Sequence, residues 1–291
     1  RATERVAHVS LRGQAEGVAF VPGEWARVSA PLADLRAAPG GARDRQLLHG
    51  ARFCVLERQG AQVFGFDEDD GYCGWLAAAA LGADHAVTHQ VSAPATHRYH
   101  AADIKSADEV ALSFGSRVQV LAIEGAFART PQGFIPARHL RALGDAMAGP
   151  VEVARLFPGT PYLWGGNSRA GIDCSGLVQA ARRASGLPCP PDSDLQATMP
   201  GQVVAPGQER PGHLVFSKSH VALVSAPGMI IHANAWHMAV VEEPLAGAEA
   251  RQVVFTGSAT EAITQAIVGG AKSFSAGAIA VSAGEHSAVL K

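Results

Sequence analysis

One cysteine of this 291-residue sequence lies where a thiol could act as a nucleophile. Cys174 is in the stretch GGNSRAGIDCSGLVQAARRASGL, where a glycine-rich segment leads into a helical pattern. Its neighbours Asp173 and Ser175 are residue types that cap helix N-termini. Backbone N–H groups and the helix dipole stabilise a thiolate at that position, and the same N–H groups can bind an oxyanion. The pattern therefore predicts a reactive thiol at Cys174.

Two histidines downstream could supply the base that such a thiol needs. The stretch HVALVSAPGMIIHANA predicts a strand, a turn and a second strand, with SAPG as the reversal. If the turn is centred on Ala226, His220 and His232 lie directly opposite each other on one face of the hairpin. A cysteine, a histidine and a second polar group that orients the histidine are the components of a papain-type nucleophilic site.

Two other interpretations of these residues stay open from the sequence alone. A cysteine at a glycine-rich helix start can be purely structural. His220 and His232 could also be zinc ligands with Cys174 as a third, although no acidic general base of the HExxH kind accompanies them.

Helical patterns surround the cysteine. After Cys174, apolar residues recur at helical spacing, and two arginines occupy the last turn before Gly186. Upstream, ALGDAMAGPVEVARLFPG predicts a helix that ends at Pro158 and Gly159 and marks a domain boundary.

The first half of the chain contains two similar stretches, LLHGARFCVLERQGAQVFG from Leu47 and LSFGSRVQVLAIEGAFART from Leu112. Each is an alternating, β-branched run interrupted by a glycine turn, which is typical of a hairpin. The repeat predicts two small β-barrels in tandem. The aligned positions are Gly50 with Gly115, Arg52 with Arg117, Val55 with Val120 and Gly60 with Gly125.

The joint between the two copies, GADHAVTHQVSAPATHRYH, is rich in histidine. The spacing of these histidines fits no regular ligand pattern, so we expect a solvated linker and not a metal site. The histidines are His85, His89, His97 and His100.

Charge and composition exclude several kinds of partner. A formal net charge of -2 leaves no basic surface for nucleic acid or an anionic membrane, and no run approaches the roughly 18 apolar residues of a membrane span. The four cysteines show no CxxC spacing, which predicts reduced thiols and a cytoplasmic protein. The N-terminal stretch RATERVAHVS lacks the apolar segment of a signal peptide; a leader removed ahead of Arg1 would place the protein in the periplasm instead.

Three stretches, PYLWGGNSRAGIDCSGLVQ, HVALV and IIHANAWHMAVVEEPL, together resemble a known family. They are similar to the NlpC-type bacterial cell-wall cysteine peptidases, and within these to the YkfC-like γ-D-glutamyl-L-diamino acid endopeptidases, which carry two N-terminal bacterial SH3-like barrels. The resemblance implies an α+β papain-like cysteine peptidase domain preceded by two small all-β SH3-like barrels. The implied domains are barrel 1 with an N-terminal extension at 1–82, barrel 2 at 83–144, the peptidase domain at 145–256 and a low-complexity tail at 257–291.

The resemblance also implies a Cys-His-His triad that needs no metal or cofactor. Cys174 is the implied nucleophile, His220 the general base, and His232 the residue that orients His220. Tyr162, from the family's PYxWGG motif, is implied to line the site and to help hold the oxyanion.

The implied substrate is a murein tripeptide or tetrapeptide with a free N-terminal L-Ala. The implied cut lies between D-Glu and the diamino acid, in cell-wall turnover and recycling. The resemblance assigns substrate binding to Asp173, Ser175 and Ser193 and, in the first barrel, to Tyr72. It also implies that the first barrel walls off the cleft and measures short peptides.

Four positions depart from the family pattern. The family has a glutamate at Ala51, an arginine at Pro191, an aspartate at His213 and an aromatic residue at Ser217. Loss of a hydrogen-bonded carboxylate from an ammonium pocket costs about 1.5 to 3 kcal/mol, so we expect weaker substrate binding. The departures leave two alternatives open: a catalytically impaired protein that binds wall peptides, and acyl transfer or amide hydrolysis on another substrate.

Overall fold

The computed structural model describes residues 1–205, 207–217 and 219–246, together with the backbone of 254–255. The predicted tail lies outside these described residues. The chain divides into two compact units, Arg1–Ala146 with Thr160–Asp173, and Met147–Gly159 with the described residues from Cys174 onward. The domain boundaries expected from the sequence stay predictions. Within the described ranges, no helix combines the length and the apolar character needed to cross a bilayer.

The first unit is built of short strands with three 3-10 turns, Val9–Leu11, Ala78–Ala80 and Ala137–His139. Its strands in chain order are β1 (Val6–His8), β2 (Ala19–Val21), β3 (Glu24–Val28), β4 (Leu32–Arg36), β5 (Arg43–Leu48), β6 (Arg52–Gln59), β7 (Gln62–Asp67), β8 (Cys73–Ala77), β9 (Leu81–Ala83), β10 (His89–Val91), β11 (Ala95–Tyr99), β12 (Asp108–Ser113), β13 (Arg117–Val118), β14 (Ala122–Glu124), β15 (Phe127–Thr130), β16 (Gly133–Pro136), β17 (Leu140–Ala142), β18 (Asn167–Ser168) and β19 (Gly171–Ile172).

These strands form sheets around separate cores. A seven-stranded sheet has the order β5-β4-β8-β7-β6-β3-β9, and two further sheets have the orders β12-β11-β16-β15-β14 and β13-β10-β17. Leu35 and Phe53 belong to the buried cluster of the first sheet, whereas Leu112 and Ile135 belong to a second cluster. The strands β1 and β2, and likewise β18 and β19, form separate pairs. The two clusters agree with the internal repeat of the sequence.

The repeated glycines share a backbone conformation. Gly50 and Gly115 have φ values of 77° and 84°, and Gly60 and Gly125 have φ values of 59° and 60°. This left-handed region is open to glycine at little steric cost. The turn at Gly60 joins β6 to β7, and the turn at Gly125 joins β14 to β15, so the repeated glycines mark equivalent hairpins.

The prediction of a solvated linker around the four histidines was wrong. The strand β10 begins at His89 and β11 contains His97, and both strands pair within sheets. Val91 and Thr96 are buried, while His97 is exposed. Alternation along a strand therefore explains the polar residues, because every second side chain points away from the core.

Gly50 marks a close approach between the two halves of the first unit. A Cβ atom on Gly50 would overlap the backbone carbonyl of Arg117. The N–H of Arg117 donates to the carbonyl of His49 at 2.8 Å. Its guanidinium makes paired hydrogen bonds to Asp69, at 3.1 Å and 2.5 Å. The close backbone contact explains why this turn carries glycine.

The motif segment PYLWGGNSRAGID belongs to the first unit through hydrogen bonds to distant strands. The side-chain amide of Asn167 donates to the carbonyl of Gln46 at 2.8 Å, and its backbone N–H donates to the Gln46 side chain at 3.3 Å. The N–H of Arg169 donates to the hydroxyl of Ser113 at 2.7 Å. Strands β5 and β12 thus anchor the segment.

In its described residues, the second unit combines three short helices with an antiparallel sheet of order β23-β22-β21-β20-β24. The helix α1 packs against α2, and α2 packs against β21 and β22. Its elements are α1 (Pro150–Ala154), α2 (Cys174–Ala184), α3 (Ser193–Ala197), β20 (Leu214–Ser217), β21 (His220–Ala226), β22 (Met229–Asn234), β23 (Ala239–Pro244) and β24 (Val254–Phe255).

The helix predicted to end at Pro158 is shorter than expected. It stops at Ala154, and Phe157 follows it as a fully packed side chain with 1% exposure. Its apolar character reflects burial beyond the helix end and not a further helical turn.

Candidate active site

Cys174 is the first residue of α2, as the sequence predicted. Its side chain and that of Ser175 are buried. The apolar residues Leu177 and Val178 of the same helix have no exposed surface. Because α2 packs against β21 and β22, the cysteine's helix rests on the strands that carry the two histidines.

A buried glutamine fixes the first turn of α2. The side-chain amide of Gln196, 1% exposed on α3, donates to the carbonyl of Ser175 at 2.9 Å and to that of Pro190 at 3.1 Å. Ser193 is the first residue of α3 and is half-buried. The short helix α3 therefore holds the backbone beside the cysteine.

His220 and His232 are hydrogen-bonded to each other. His220 begins β21 and His232 lies on the neighbouring strand β22, with 5% exposure. The Nε2 atom of His220 is 2.8 Å from Nδ1 of His232, and the two rings meet edge to face with centroids 5.0 Å apart. The two histidines thus share one proton in a single hydrogen bond.

The predicted register of this hairpin was wrong by two residues. The reversal lies at Pro227 and Gly228, and Leu223 pairs with Ile231. A β-bulge between Val224 and Ala226 reduces the offset by one residue, from three at the turn to two beyond it. The histidines are therefore diagonal and not directly opposite, which still lets long side chains on one face touch.

Glu243 extends the hydrogen-bonded pair on a third strand. Its Oε1 atom is 2.7 Å from Nε2 of His232, and its Oε2 atom is 3.2 Å from Nε2 of His237. The side-chain nitrogen of Asn234 also lies 2.7 Å from Nε2 of His232. The oxygen of the same amide accepts from the backbone N–H of His237 at 2.7 Å. Three histidines, one carboxylate and one amide thus form a continuous polar network.

Burial sets the charge of this network. Burial, together with a smaller effect of the neighbouring His232, lowers the pKa of His220 from the usual 6.5 to about 4. Burial also lowers the pKa of His232, against the opposing effect of Glu243. Burial opposes ionisation of Glu243, yet hydrogen bonds from His232 and His237 outweigh it and hold its pKa below the usual range. Near neutral pH, His220 is therefore an uncharged base.

Three predicted site residues lie in the first unit. The hydroxyl of Tyr72 donates to Asp44 at 2.9 Å, and the side chain of Asp173 accepts the N–H of Gly165 at 2.9 Å. Tyr162 lies on a β-bridge next to β19. Cys174, Ser175, Ser193, His220 and His232 lie in the second unit.

The positions that depart from the family pattern have local structural roles. The ring of His213 accepts the N–H of Arg210 at 3.2 Å, and its carbonyl accepts the N–H of Val224 at 2.8 Å. The strand β20 that follows pairs with β21 in continuous register. Ala51 packs against the first core, and Pro191 is buried. Reduced substrate binding stays a prediction.

Sequence reasoning missed Glu243, Asn234 and His237. The available signal was the stretch HANAWHMAVVEEPL, in which a turn and an alternating strand follow His232.

Among the described residues, no group of three or more His, Cys, Asp and Glu side chains is arranged to hold a metal ion.

Comparisons with known proteins match two parts of the chain. Residues 159–256 match the NlpC/P60 family, and residues 35–81 match the bacterial dipeptidyl-peptidase SH3 domain. The gamma-D-glutamyl-L-lysine dipeptidyl-peptidase of Bacillus subtilis (strain 168) is 26% identical over 216 residues, 64% of this chain and 71% of that protein. Dipeptidyl-peptidase 6 of Lysinibacillus sphaericus is 34% identical over 84 residues, 29% of this chain and only 31% of that protein.

A solved structure supports the fold. The NlpC/P60 family protein from Bacillus cereus ATCC 10987 superposes with a TM-score of 0.68 at 20% identity, and the match covers 76% of this chain and 94% of that one. The sequence motifs, the family matches and this likeness agree. This chain joins a bacterial dipeptidyl-peptidase SH3 domain to an NlpC/P60 domain, the family that its motifs resemble.

Proposed function

We propose that this chain is a cysteine peptidase that hydrolyses the γ-D-glutamyl-L-diamino acid bond of murein peptides with a free N-terminal L-Ala. The observation that carries the proposal is the hydrogen-bonded chain from His220 through His232 to Glu243, on strands packed against the helix that begins at Cys174. The proposed architecture is a papain-like α+β domain after two SH3-like barrels.

In the proposed reaction the sulfur of Cys174 attacks the γ-glutamyl carbonyl carbon, and His220 takes the thiol proton. The oxyanion that forms is held by N–H groups at the start of α2. As the tetrahedral intermediate collapses, the C–N bond breaks and His220 returns the proton to the leaving amine. Water then attacks the thioester carbonyl carbon while His220 accepts a proton from that water. The C–S bond breaks, the L-Ala-γ-D-Glu acid leaves, and His220 returns the proton to the sulfur of Cys174. The neutral state of His220 supports its role as the acceptor in the first step.

The substrate class follows from two lines of support. The Bacillus subtilis relative is named a gamma-D-glutamyl-L-lysine dipeptidyl-peptidase, and the resemblance of the motifs implies a murein tripeptide or tetrapeptide. Recognition of the free amine is proposed for Asp173 and Tyr72, with contributions from Ser175 and Ser193, and oxyanion support for Tyr162. The proposed setting is recycling of released wall peptides in the cytoplasm.

The experiment that tests the proposal is hydrolysis of L-Ala-γ-D-Glu-meso-diaminopimelate and its L-lysine counterpart, followed by mass spectrometry. The native protein should release L-Ala-γ-D-Glu, and Cys174→Ala should release none. Cys189→Ala is the matched control, because it removes another buried thiol and should retain activity. Absence of cleavage by the native protein, together with measurable peptide binding, would favour the binding-protein alternative.

The same assay tests recognition of the amine. An N-acetylated L-Ala removes the positive charge, so the acetylated peptide should not be cleaved if a carboxylate binds the ammonium. Equal turnover of both peptides would contradict the assigned amine site and point to another acyl substrate.

A further inference from the structure

The inner nitrogen of His232 faces two groups with opposite hydrogen-bonding character. Its Nε2 atom lies 2.7 Å from a carboxylate oxygen of Glu243 and 2.7 Å from the amide nitrogen of Asn234. An ionised carboxylate only accepts hydrogen bonds, whereas an amide nitrogen only donates them. One ring nitrogen cannot satisfy both, because it either carries a proton or presents a lone pair.

The orientation of the Asn234 amide is fixed by a separate contact. Its oxygen accepts the backbone N–H of His237 at 2.7 Å, so its nitrogen must face His232. The carboxylate is held as well, because His237 contacts its second oxygen at 3.2 Å. The side chain of Glu243 is 23% exposed and that of His232 only 6% exposed. The competition at Nε2 is therefore built into the folded unit.

Each outcome of this competition places the shared proton differently. If Nε2 of His232 donates to Glu243, its Nδ1 has no proton and accepts from Nε2 of His220. The remaining nitrogen of His220, Nδ1, then has the free lone pair that a general base needs. If Nε2 of His232 instead accepts from Asn234, the protons shift along the pair, and Nδ1 of His220 is protonated. That arrangement cannot accept the proton of a thiol.

We propose that Glu243 is a positioning residue that selects the base-competent arrangement of protons in the His220 and His232 pair, an inference that rests on the proposed function. A formal negative charge on a carboxylate makes a stronger acceptor than the amide is a donor. The low pKa of Glu243 keeps it ionised near neutral pH and supports this assignment. Asn234 then opposes the arrangement, and only the carboxylate overcomes it.

Adjacent strand positions offer matched variants. Glu243→Ala removes the acceptor, whereas Glu243→Gln keeps an oxygen that can accept from His232. Glu242→Gln is the control, because Glu242 points to the other face of β23 and pairs with Arg155 at 2.8 Å. Together, the three variants distinguish the loss of a hydrogen-bond acceptor for His232 from the loss of a negative charge on β23.

The direct readout is nitrogen NMR of histidine-labelled protein near neutral pH, assigned with His220→Gln, which reports which ring nitrogen carries the proton. The native chain and Glu242→Gln should show the proton of His220 on Nε2. Glu243→Ala should move it to Nδ1, and Glu243→Gln should restore Nε2 at least in part. Alkylation of Cys174 and peptide hydrolysis should both fall by about 10-fold or more in Glu243→Ala, since a misplaced tautomer disables the base.

The native spectrum alone can overturn the inference, even if Glu243→Ala fails to fold. A proton on Nδ1 of His220 in the native chain contradicts it, and so does a folded Glu243→Ala with an unchanged tautomer. The NMR readout needs no substrate, so the two proposals can fail separately. If the native chain cuts no murein peptide, yet the proton of His220 moves from Nε2 in the native chain to Nδ1 in Glu243→Ala, the proposed function is wrong and this inference stands.

Discussion

Acidification should destabilise the folded protein through His220. The pKa of this ring is about 4 in the folded chain, against 6.5 for an unperturbed histidine. The unfolded chain therefore binds more protons between these two values, so stability is fully present above 6.5 and is lost as the pH falls toward 4. Each unit of pKa difference is equivalent to about 1.4 kcal/mol, which sets the full contribution at about 3 kcal/mol. Between roughly pH 7 and pH 5 the expected loss is about 2 kcal/mol.

The assay is urea unfolding of the native chain and of His220→Gln across this pH range, followed by circular dichroism. The prediction concerns the slope of the unfolding free energy against pH, and not the overall stability of the variant. This slope should be shallower in His220→Gln than in the native chain, by the contribution of one titrating group. Cys174→Ala should keep the native pH dependence of stability, because the expected effect comes from His220.

Two results would refute the reasoning. Identical slopes for the native chain and His220→Gln would show that this histidine titrates alike in both states. A native chain that gains stability relative to the variant as the pH falls would reverse the sign, since an imidazolium stabilised by a thiolate has a raised pKa. Loss of that reversed slope in Cys174→Ala would identify the thiolate as its cause.

Two further substitutions test the scaffold around the site. Gln196→Ala removes the side-chain donor to the buried carbonyl of Ser175 and the half-buried carbonyl of Pro190. The substitution should therefore cost about 2 to 3 kcal/mol in urea unfolding and slow alkylation of the adjacent cysteine; unchanged values would contradict its role. Gly50→Ala should lower the melting temperature more than Gly60→Ala, because both have positive φ but only Gly50 lies against a neighbouring backbone carbonyl. Equal shifts for the two glycines would show that the close approach costs nothing.

Local patterns were sufficient to predict the start of α2 and the shared face of the histidines. Two signals placed Cys174 at the start of a helix: the capping residue types beside it and the helical spacing of the apolar residues after it. Strand alternation placed His220 and His232 on one face. The register of the hairpin could not be predicted. It depends on which two residues of SAPG form the turn, and on a β-bulge in the first strand. Glu243 was missed because its place depends on the pairing of β22 with β23, in which Ile230 opposes it.

The segment PYLWGGNSRAGID shows the same limit at a longer range. Its attachment depends on Gln46 and Ser113, which lie far away in the sequence and leave no periodic trace near the motif. Hydrophobic patterns identify which face of an element is buried. They do not identify the distant group that accepts a hydrogen bond from a given N–H.

The same segment affects how this protein can exchange parts during evolution. Modular proteins usually recombine at linkers that few contacts cross. Here Asn167 and Arg169 take their hydrogen-bond partners from N-terminal strands, although they lie within the stretch that matches the NlpC/P60 family. A recombination event upstream of that stretch would separate both residues from their partners. The N-terminal strands and the motif are therefore expected to be inherited together, and a chimera with a foreign N-terminal half would need compensating substitutions at both positions.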